Sequence, residues 1–370
     1  MEYKKLGDIA TYINGYAFKP EQRGSEGLPI IRIQDLTGNA YDLGYYNGDY
    51  PKKVELNDGD VLISWSASLG VYLWNRGKAL LNQHIFKVVF DKVEIDKFYF
   101  MYAVEYNLDK MSLKTHGATM KHITKKDFDN VVIPYPDLDY QKEVAYRLTS
   151  LKGIIEKYQK QLDLLDELIK ARFVEMFGDP EDNPFKWDKM PLSNIMLNAN
   201  NGMARRGNDE NGNIVLRLVE LQDGYINYSN PNRICLNENE KKRCLLKNND
   251  FLFARVNGNP DNVGRCAVFH DIGEDVYHND HIIRVHFNEE LLNGVFASEL
   301  INSNFGKRQL KKRIKTSAGQ YTVSQDGIGA IVSIVPPLEL QNQFASFVQE
   351  VDKSRLLSNH SLFLIKSIIF

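Results

Sequence analysis

Six basic side chains crowd the stretch from Lys307 to Lys315: Lys307, Arg308, Lys311, Lys312, Arg313 and Lys315, with no acid among them. The stretch runs directly into a polar segment, Thr316-Ser317-Ala318-Gly319-Gln320-Tyr321. Cations at a helix end can neutralise phosphates, while hydroxyl, amide and phenol groups beside them can reach base edges. The first half of the chain holds a similar juxtaposition. Lys110, Lys114, Lys121, Lys125 and Lys126 are set against Asp109 and Asp127, around the segment Thr115-His116-Gly117-Ala118-Thr119-Met120-Lys121. Either stretch alone reads equally well as a solvated helix face. Recurrence at the same place in both halves favours nucleic acid, with Lys114, Thr119, Lys121, Lys311, Lys312, Arg313, Lys315, Gln320 and Tyr321 as candidate contacts.

Two further loops recur with unlike chemistry. After an Asp-Val-Leu-Ile strand the first half has Ser64-Trp65-Ser66-Ala67-Ser68-Leu69-Gly70, and the second has Ala254-Arg255-Val256-Asn257-Gly258-Asn259-Pro260. Early in each half, Gly15-Tyr16-Ala17-Phe18-Lys19 answers Gly202-Met203-Ala204-Arg205-Arg206. These loops add Lys19, Ser66, Ser68, Arg205, Arg206, Arg255 and Asn257 to the candidates. A shared framework with divergent loops suits a reader of two unlike half-sites, and ordinary drift after duplication gives the same picture.

The residues needed for catalysis are not assembled in any familiar order. Gly327-Ile328-Gly329 lacks the third glycine of a dinucleotide loop, Gly77-Lys78 and Gly306-Lys307 lack the hydroxyl of a P-loop, and no G-x-S-x-G elbow occurs. Asn183-Pro184-Phe185 lacks the second proline that an amino-methyltransferase uses to hold the exocyclic amine. Asp137, Asp139 and Lys142 have one residue too many for a metal-nuclease cluster, and they open a helix where acids favour the dipole. His278, His281 and His286 suggest a metal, but only His281 has a counterpart, His84, and no cysteine stands at zinc-finger spacing. A turn or strand-edge histidine holding the fold is the simpler expectation for that pair. No catalytic and no metal-binding residue is expected.

The elements that must carry these loops are written twice. Asn82-Gln83-His84-Ile85-Phe86-Lys87-Val88 reappears as Asn279-Asp280-His281-Ile282-Ile283-Arg284-Val285. Leu56 to Ile63 matches Leu246 to Phe253, Pro29 to Ile33 matches Ile214 to Leu218, and Pro136 to Gln141 matches Pro336 to Gln341. The offset drifts from 185 to 200 with the order kept, as an internal duplication requires. Each copy is β-rich at first, with strands predicted at Ile30–Ile33, Val61–Ser64, Ile85–Phe90 and Val131–Ile133. A helix follows, over Lys97–Leu108 and Leu292–Lys312, then a strand ending at Pro134 or Pro336, then a long charged helix.

That long helix carries a heptad seam. Leu148, Ile155, Leu162, Ile169 and Met176 stand at one seam position, and Val144, Leu151, Tyr158, Leu165 and Arg172 at the other. At ~1.5 Å per residue the rod is roughly 55 Å long. The second copy gives Phe344, Val348, Val351, Arg355, Ser358, Leu362, Ile365 and Ile369. An isolated heptad helix leaves an apolar stripe in water, so the two rods are expected to pack on each other. Leu148, Leu151, Ile155, Tyr158, Leu162 and Leu165 would meet Val348, Val351, Leu362 and Ile365. The expected fold class is α+β: two duplicated globular domains, each followed by a long helix, with the helices packed as an antiparallel coiled coil. The domains are residues 1–138 and 187–337, the helices 139–178 and 338–370, and the linker 179–186. Antiparallel rods, one after each globular domain, would make a ruler between two binding surfaces.

Composition agrees with a globular chain of two or three domains: 370 residues, 43% hydrophobic and 25% charged. With 46 Lys+Arg against 48 Asp+Glu, the net charge of −2 excludes a whole-chain basic footprint, so local patches must hold any polyanion. Three cysteines (Cys235, Cys244, Cys266) exclude a disulfide framework and suit a cytoplasmic protein. The N-terminus has no apolar leader, and no run approaches the ~20 residues of a spanning helix, so no membrane is expected.

The order L-G-D-I, I-I-R-I, L-x-x-G-D-V-L-I-S, N-Q-H-I and V-V-I-P-Y-P-D-L-D-Y-Q-K-E-V, then a heptad helix ending Phe177-Gly178-Asp179-Pro180, all repeated, resembles the specificity subunit of a type I restriction-modification system. The resemblance spans essentially the whole chain. It implies two target recognition domains, each reading half of a bipartite asymmetric double-stranded DNA site. It implies antiparallel helices that set the spacer and dock methyltransferase (M) subunits, two of them, and restriction/translocase (R) subunits. It also implies that this chain catalyses nothing and holds no cofactor. S-adenosylmethionine, ATP and magnesium would belong to the partner subunits. Against the family, the second helix ends before an equivalent of Phe177-Gly178-Asp179, as a truncation would leave it. The rival readings are the DNA-binding part of a restriction or methylation enzyme whose catalytic domain lies elsewhere, and a coiled-coil interaction protein without DNA.

Overall fold

The computed structural model describes residues 2–39, 42–114, 123–317 and 319–369. The chain divides into two compact units, one of Met1–Lys157 with Ile365–Phe370 and one of Tyr158–Leu364. The division falls inside the first long helix, Leu138–Phe177, because the C-terminal half of that helix buries Ile169, Phe173 and Phe177 in the core of the second unit.

In the first unit, Thr11–Asn14, Ile85–Val89, Val61–Ser64 and Gly70–Leu73 form an antiparallel sheet in that spatial order. A second sheet has the order Tyr45–Tyr46, Leu28–Ile31, Ala79–Leu81 and Glu55–Leu56, with its two middle strands parallel. A two-stranded ladder joins Glu2–Lys5 to Val132–Tyr135. The second unit repeats this plan. Met196–Asn201, Ile282–Phe287, Phe251–Ala254 and Cys266–Val268 form the first sheet. Arg233–Ile234, Asn213–Leu216 and Val276–His278 form the second, and Asp188–Pro191 with Val332–Val335 the ladder. A glycine is required at Gly15 and at Gly202, where the strand passes so close to its neighbour that a Cβ would stand 2.0 Å from a carbonyl oxygen, of Asn82 or of His278.

Four local expectations change. The strand predicted at Ile30–Ile33 ends at Ile31, and Ile33–Thr37 turns into a short helix. There the Arg32 backbone N–H and guanidinium both donate to Asp35, a local capping arrangement that competes with the ladder. The strand at Val131–Ile133 runs through Pro134 to Tyr135, which an edge position of a two-stranded ladder tolerates. The helix predicted over Leu292–Lys312 is two, Gly294–Asn302 and Asn304–Lys311. Ser303 interrupts it because its hydroxyl caps the second helix, accepting from the Gly306 N–H. The first-half helix runs further than expected, over Lys97–Lys114.

The repeated motifs acquire physical meaning. Asp60 accepts from the Asn57 N–H at 2.8 Å and pairs with Lys87 at 2.7 Å. Asp250 accepts from the Lys247 N–H at 2.7 Å and pairs with His286 at 3.1 Å and Arg284 at 3.7 Å. Gln141 and Gln341 are buried, and each side-chain oxygen accepts a backbone N–H, of Asp96 or Asn293, at 2.9 Å. Their amides donate to Pro136 at 2.8 Å and Pro336 at 2.7 Å. Each glutamine thus ties the start of its long helix to the segment before the preceding helix.

Seam residues Leu148, Leu151, Ile155, Tyr158, Leu162 and Leu165 are half-buried on the first long helix. On the second, Leu338–Ile369, Val351 and Ser358 are buried and Val348, Leu362 and Ile365 half-buried. Within the second unit the two helices run antiparallel. Phe173 and Phe177 pack on Phe344 at 5.5 and 5.6 Å between ring centroids, and Arg355 pairs with Asp166. Ser358 tolerates its seam position by donating to Ser354 O in its own helix at 3.0 Å.

Candidate nucleic-acid interface

Three loops of the second unit converge on one turn. The Arg255 N–H donates to His281 O at 2.7 Å, and the Val323 N–H donates to Arg255 O at 2.9 Å. Val256–Asn257 pairs with Gln320–Thr322, which pairs with Lys315–Ser317, so Asn257 lies opposite Tyr321 and Lys315 opposite Thr322. The early loop joins through Arg206, whose Nη2 donates to Asp280 Oδ1 at 2.8 Å and to His281 Nε2 at 3.0 Å. Arg206, Arg255, Asn257, Lys315, Gln320 and Tyr321 thereby share one surface around His281. Burial holds the His281 imidazole below its usual pKa, and the cations of Arg206 and Arg255 push the same way against Asp280. A neutral ring that accepts from Arg206 is consistent with that direction.

Arg255 stands apart from its neighbours. It is half-buried, its Nε is enclosed without a hydrogen-bond partner, and it has no carboxylate among the described residues. By contrast Arg205 pairs with Glu240 at 3.1 Å, Arg265 with Asp223 at 2.9 Å and Arg233 with Glu274 at 2.6 Å.

The basic stretch is less free than its sequence implies. Lys307 pairs with Asp223 at 3.1 Å, Arg308 with Glu181 at 2.6 Å and Lys311 with Asp261 at 3.1 Å. Arg313 donates to the carbonyls of Gln309 and Ala330, both at 2.6 Å, which ties it to the fold. The acids missing from Lys307–Lys315 arrive from elements distant in sequence. Lys312 and Lys315 are exposed and without an ion pair among the described residues. The Lys311 pair is exposed, so its carboxylate is weakly held and readily exchanged for a phosphate.

The first unit builds the same junction around a different side chain. The Trp65 N–H donates to His84 O at 3.3 Å, and the Ile123 N–H donates to Trp65 O at 3.1 Å. The indole lies 5.1 Å from the His84 ring and stacks on Phe86 at 5.6 Å. Lys19 and Ser68 are exposed, whereas Ser66 is buried and turned away from solvent. Lys114 closes its helix, and Thr119 and Lys121 lie outside the described residues. Trp65 is the junction residue that residue type alone missed, and its signal was alignment with Arg255 in the repeat.

The histidines go separate ways. His84 and His281 hold their turns through backbone carbonyls. His278 is fully buried on its strand, where burial lowers its pKa to about 4, and His286 faces Asp250.

Two repeats of one α+β unit, each with a long helix and each presenting the same three-loop junction with different side chains, define the class: a duplicated recognition protein. A family model for the type I restriction modification DNA specificity domain matches residues 1–165. The specificity subunit of the StySPI type I restriction enzyme of Salmonella potsdam is 25% identical over 374 residues, covering 94% of this chain and 81% of that one. That of EcoKI from Escherichia coli K12 is 22% identical over 382 residues, again covering 94% and 81%. The S subunit of the M. genitalium type I restriction-modification system shares the fold with a TM-score of 0.59 at 14% identity, over 100% of this chain and 93% of that one. A structure describing complex assembly and conformational transition of the type I R-M system gives 0.54 at 13%, over 100% and 95%. Residues 1–165 match the type I restriction modification DNA specificity domain, and the chain as a whole shares the fold of type I S subunits.

Proposed function

We propose that this chain is the DNA sequence-recognition subunit of a type I restriction-modification complex, with one unit for each half of a bipartite asymmetric site. The observation that carries this reading is the repeated junction: one backbone framework holds Trp65 in one unit and Arg255 in the other. A surface that gripped DNA only through phosphates would have no reason to vary its side chains while keeping its frame. The chain catalyses nothing itself, and the long helices carry the spacer and the subunit contacts. Leu164, Leu168, Leu356 and Leu357 stand 47–72% exposed on those helices, the kind of apolar surface that a partner subunit covers. Two M subunits and the R subunits are the partners, bringing S-adenosylmethionine, ATP and magnesium to a cytoplasmic complex. No described helix is long and apolar enough to cross a membrane.

The test is methylome sequencing of cells that express the M subunits with and without this chain. The expected result is a split methylation motif that appears only with the chain. Exchange of residues 186–335 for those of a relative should then change one half of the motif. Methylation independent of the chain, or both halves changing together, overturns the reading. Magnesium-dependent cleavage by the purified chain alone would favour the enzyme alternative.

A further inference from the structure

The Arg255 guanidinium poses a physical problem. Its stem is enclosed, its Nε lacks a partner, and no described carboxylate neutralises it. Leaving a cation half-desolvated without a partner is costly, and other guanidinium groups of the same unit avoid it with an acid. Its backbone is nevertheless held from both sides, by His281 O and the Val323 N–H. The side chain is therefore pre-positioned at the centre of the three-loop junction with its Nη donors unspent. A guanidinium in that state wants two coplanar acceptors.

DNA offers two such pairs, the phosphate oxygens and the O6/N7 edge of guanine in the major groove. The first unit separates them. Its equivalent residue, Trp65, sits on the same pair of backbone hydrogen bonds but carries no charge. Every half-site presents the same phosphate backbone, so a phosphate contact at this position would call for a cation in both units. A base contact would differ with the base. Arg206 is held by His281 and buttressed by Asp280 at 2.8 Å, which leaves the unbuttressed Arg255 as the donor still seeking a partner. We propose that Arg255 is a specificity-determining residue that reads a guanine in the half-site of the second unit, and that Trp65 replaces that readout in the first. This rests on the DNA-recognition function proposed above.

The test uses the complex of the full chain with its M subunits. The methylation motif of the unaltered complex is first read by methylome sequencing, and binding is then measured on duplexes carrying each base at every position of both half-sites. An unaltered complex that shows no sequence preference overturns the underlying function, separately from the role of Arg255. With preference established, the second-unit half-site should contain a guanine. Arg255→Ala should cut discrimination at that one base pair by about ten- to a hundredfold and leave the other half-site unchanged. Arg255→Lys keeps the charge but loses the fork, and should relax the same base pair. Matching circular dichroism and melting temperature establish that both variants fold. The proposal fails if the second-unit half-site has no guanine. It fails equally if Arg255→Ala weakens all sequences uniformly with a shallower salt dependence while Arg255→Lys restores binding, which is the behaviour of a phosphate clamp. No change in binding also overturns it.

Discussion

Trp65 and Arg255 hang from the same two backbone hydrogen bonds, yet one is an aromatic ring stacked on Phe86 and the other a cation without an acid. The two units differ in the same way elsewhere. Leu81 and His278 occupy one strand position, paired with Ile31 and Leu216 respectively, and both are fully buried. Val144 and Phe344 occupy one turn of the two long helices, half-buried in the first unit and fully buried in the second. Duplication keeps what the backbone needs, such as Asp60 and Asp250 or Gln141 and Gln341, and releases what the backbone does not use. Function is therefore to be sought at positions whose frame is constant and whose side chain is not.

The largest expected difference lies in the helix seam. Phe344 fills the space between Phe173 and Phe177, so Phe344→Ala should destabilise the second unit by about 3–5 kcal/mol. Val144→Ala, at a half-buried site, should cost the first unit about 1 kcal/mol. Denaturant unfolding of the two variants checks this, and equal losses would break the comparison.

The His278–Leu81 pair predicts a difference in acid sensitivity. Burial depresses the folded-state pKa of His278 to about 4, so the folded state binds its proton later than the unfolded chain does. The neutral histidine is fully accommodated above the ordinary histidine pKa of about 6.5, and stability falls as pH drops from there to about 4. The full loss is on the order of 3 kcal/mol. His278→Leu, which copies the first unit, should remove this part of the acid sensitivity. Unfolding measured from pH 7 to 4 in both proteins tests it, and parallel curves would show that His278 does not titrate on unfolding.

The glutamine ties should behave alike. Gln141→Leu and Gln341→Leu each leave a partly buried backbone N–H of Asp96 or Asn293 unpaired, at a cost of about 1–3 kcal/mol. Equivalent losses measured by thermal melting would sharpen the division between the shared frame and the residues released from it.

The smallest effect on stability belongs to the basic face. Lys311→Ala removes an exposed ion pair with Asp261 and should change stability by less than about 1 kcal/mol. If Lys311 exchanges that carboxylate for a phosphate, the log–log salt slope of DNA binding should become shallower by ~0.9 in this variant. Lys312→Ala and Lys315→Ala should do the same. Arg313→Ala should instead lower the melting temperature, because its guanidinium holds the carbonyls of Gln309 and Ala330.

Much of this molecule is legible in its residues. Repetition of Asn-x-His-Ile, Leu-x-x-x-Asp and Pro-x-Leu-x-x-Gln reveals the duplication, because motifs that satisfy backbone groups must keep both spacing and chemistry. The heptad spacing of the first helix gives its length and a half-buried stripe, since the 3.5-residue period is local to one element, but it leaves out Phe173 and Phe177, which the second unit buries. The break at Ser303 is harder to read, because a cap competes with helix continuation through one hydroxyl.

What escapes the sequence is everything settled between distant elements. The stretch from Lys307 to Lys315 contains no acid, and only folding brings Glu181, Asp223 and Asp261 to it. Charge along a chain is a local property, whereas the field at a side chain is a sum over whatever the tertiary structure places within a few ångströms. The same physics, working in reverse, singles out Arg255: three loops meet around it, and the carboxylate they bring, Asp280, is paired with Arg206.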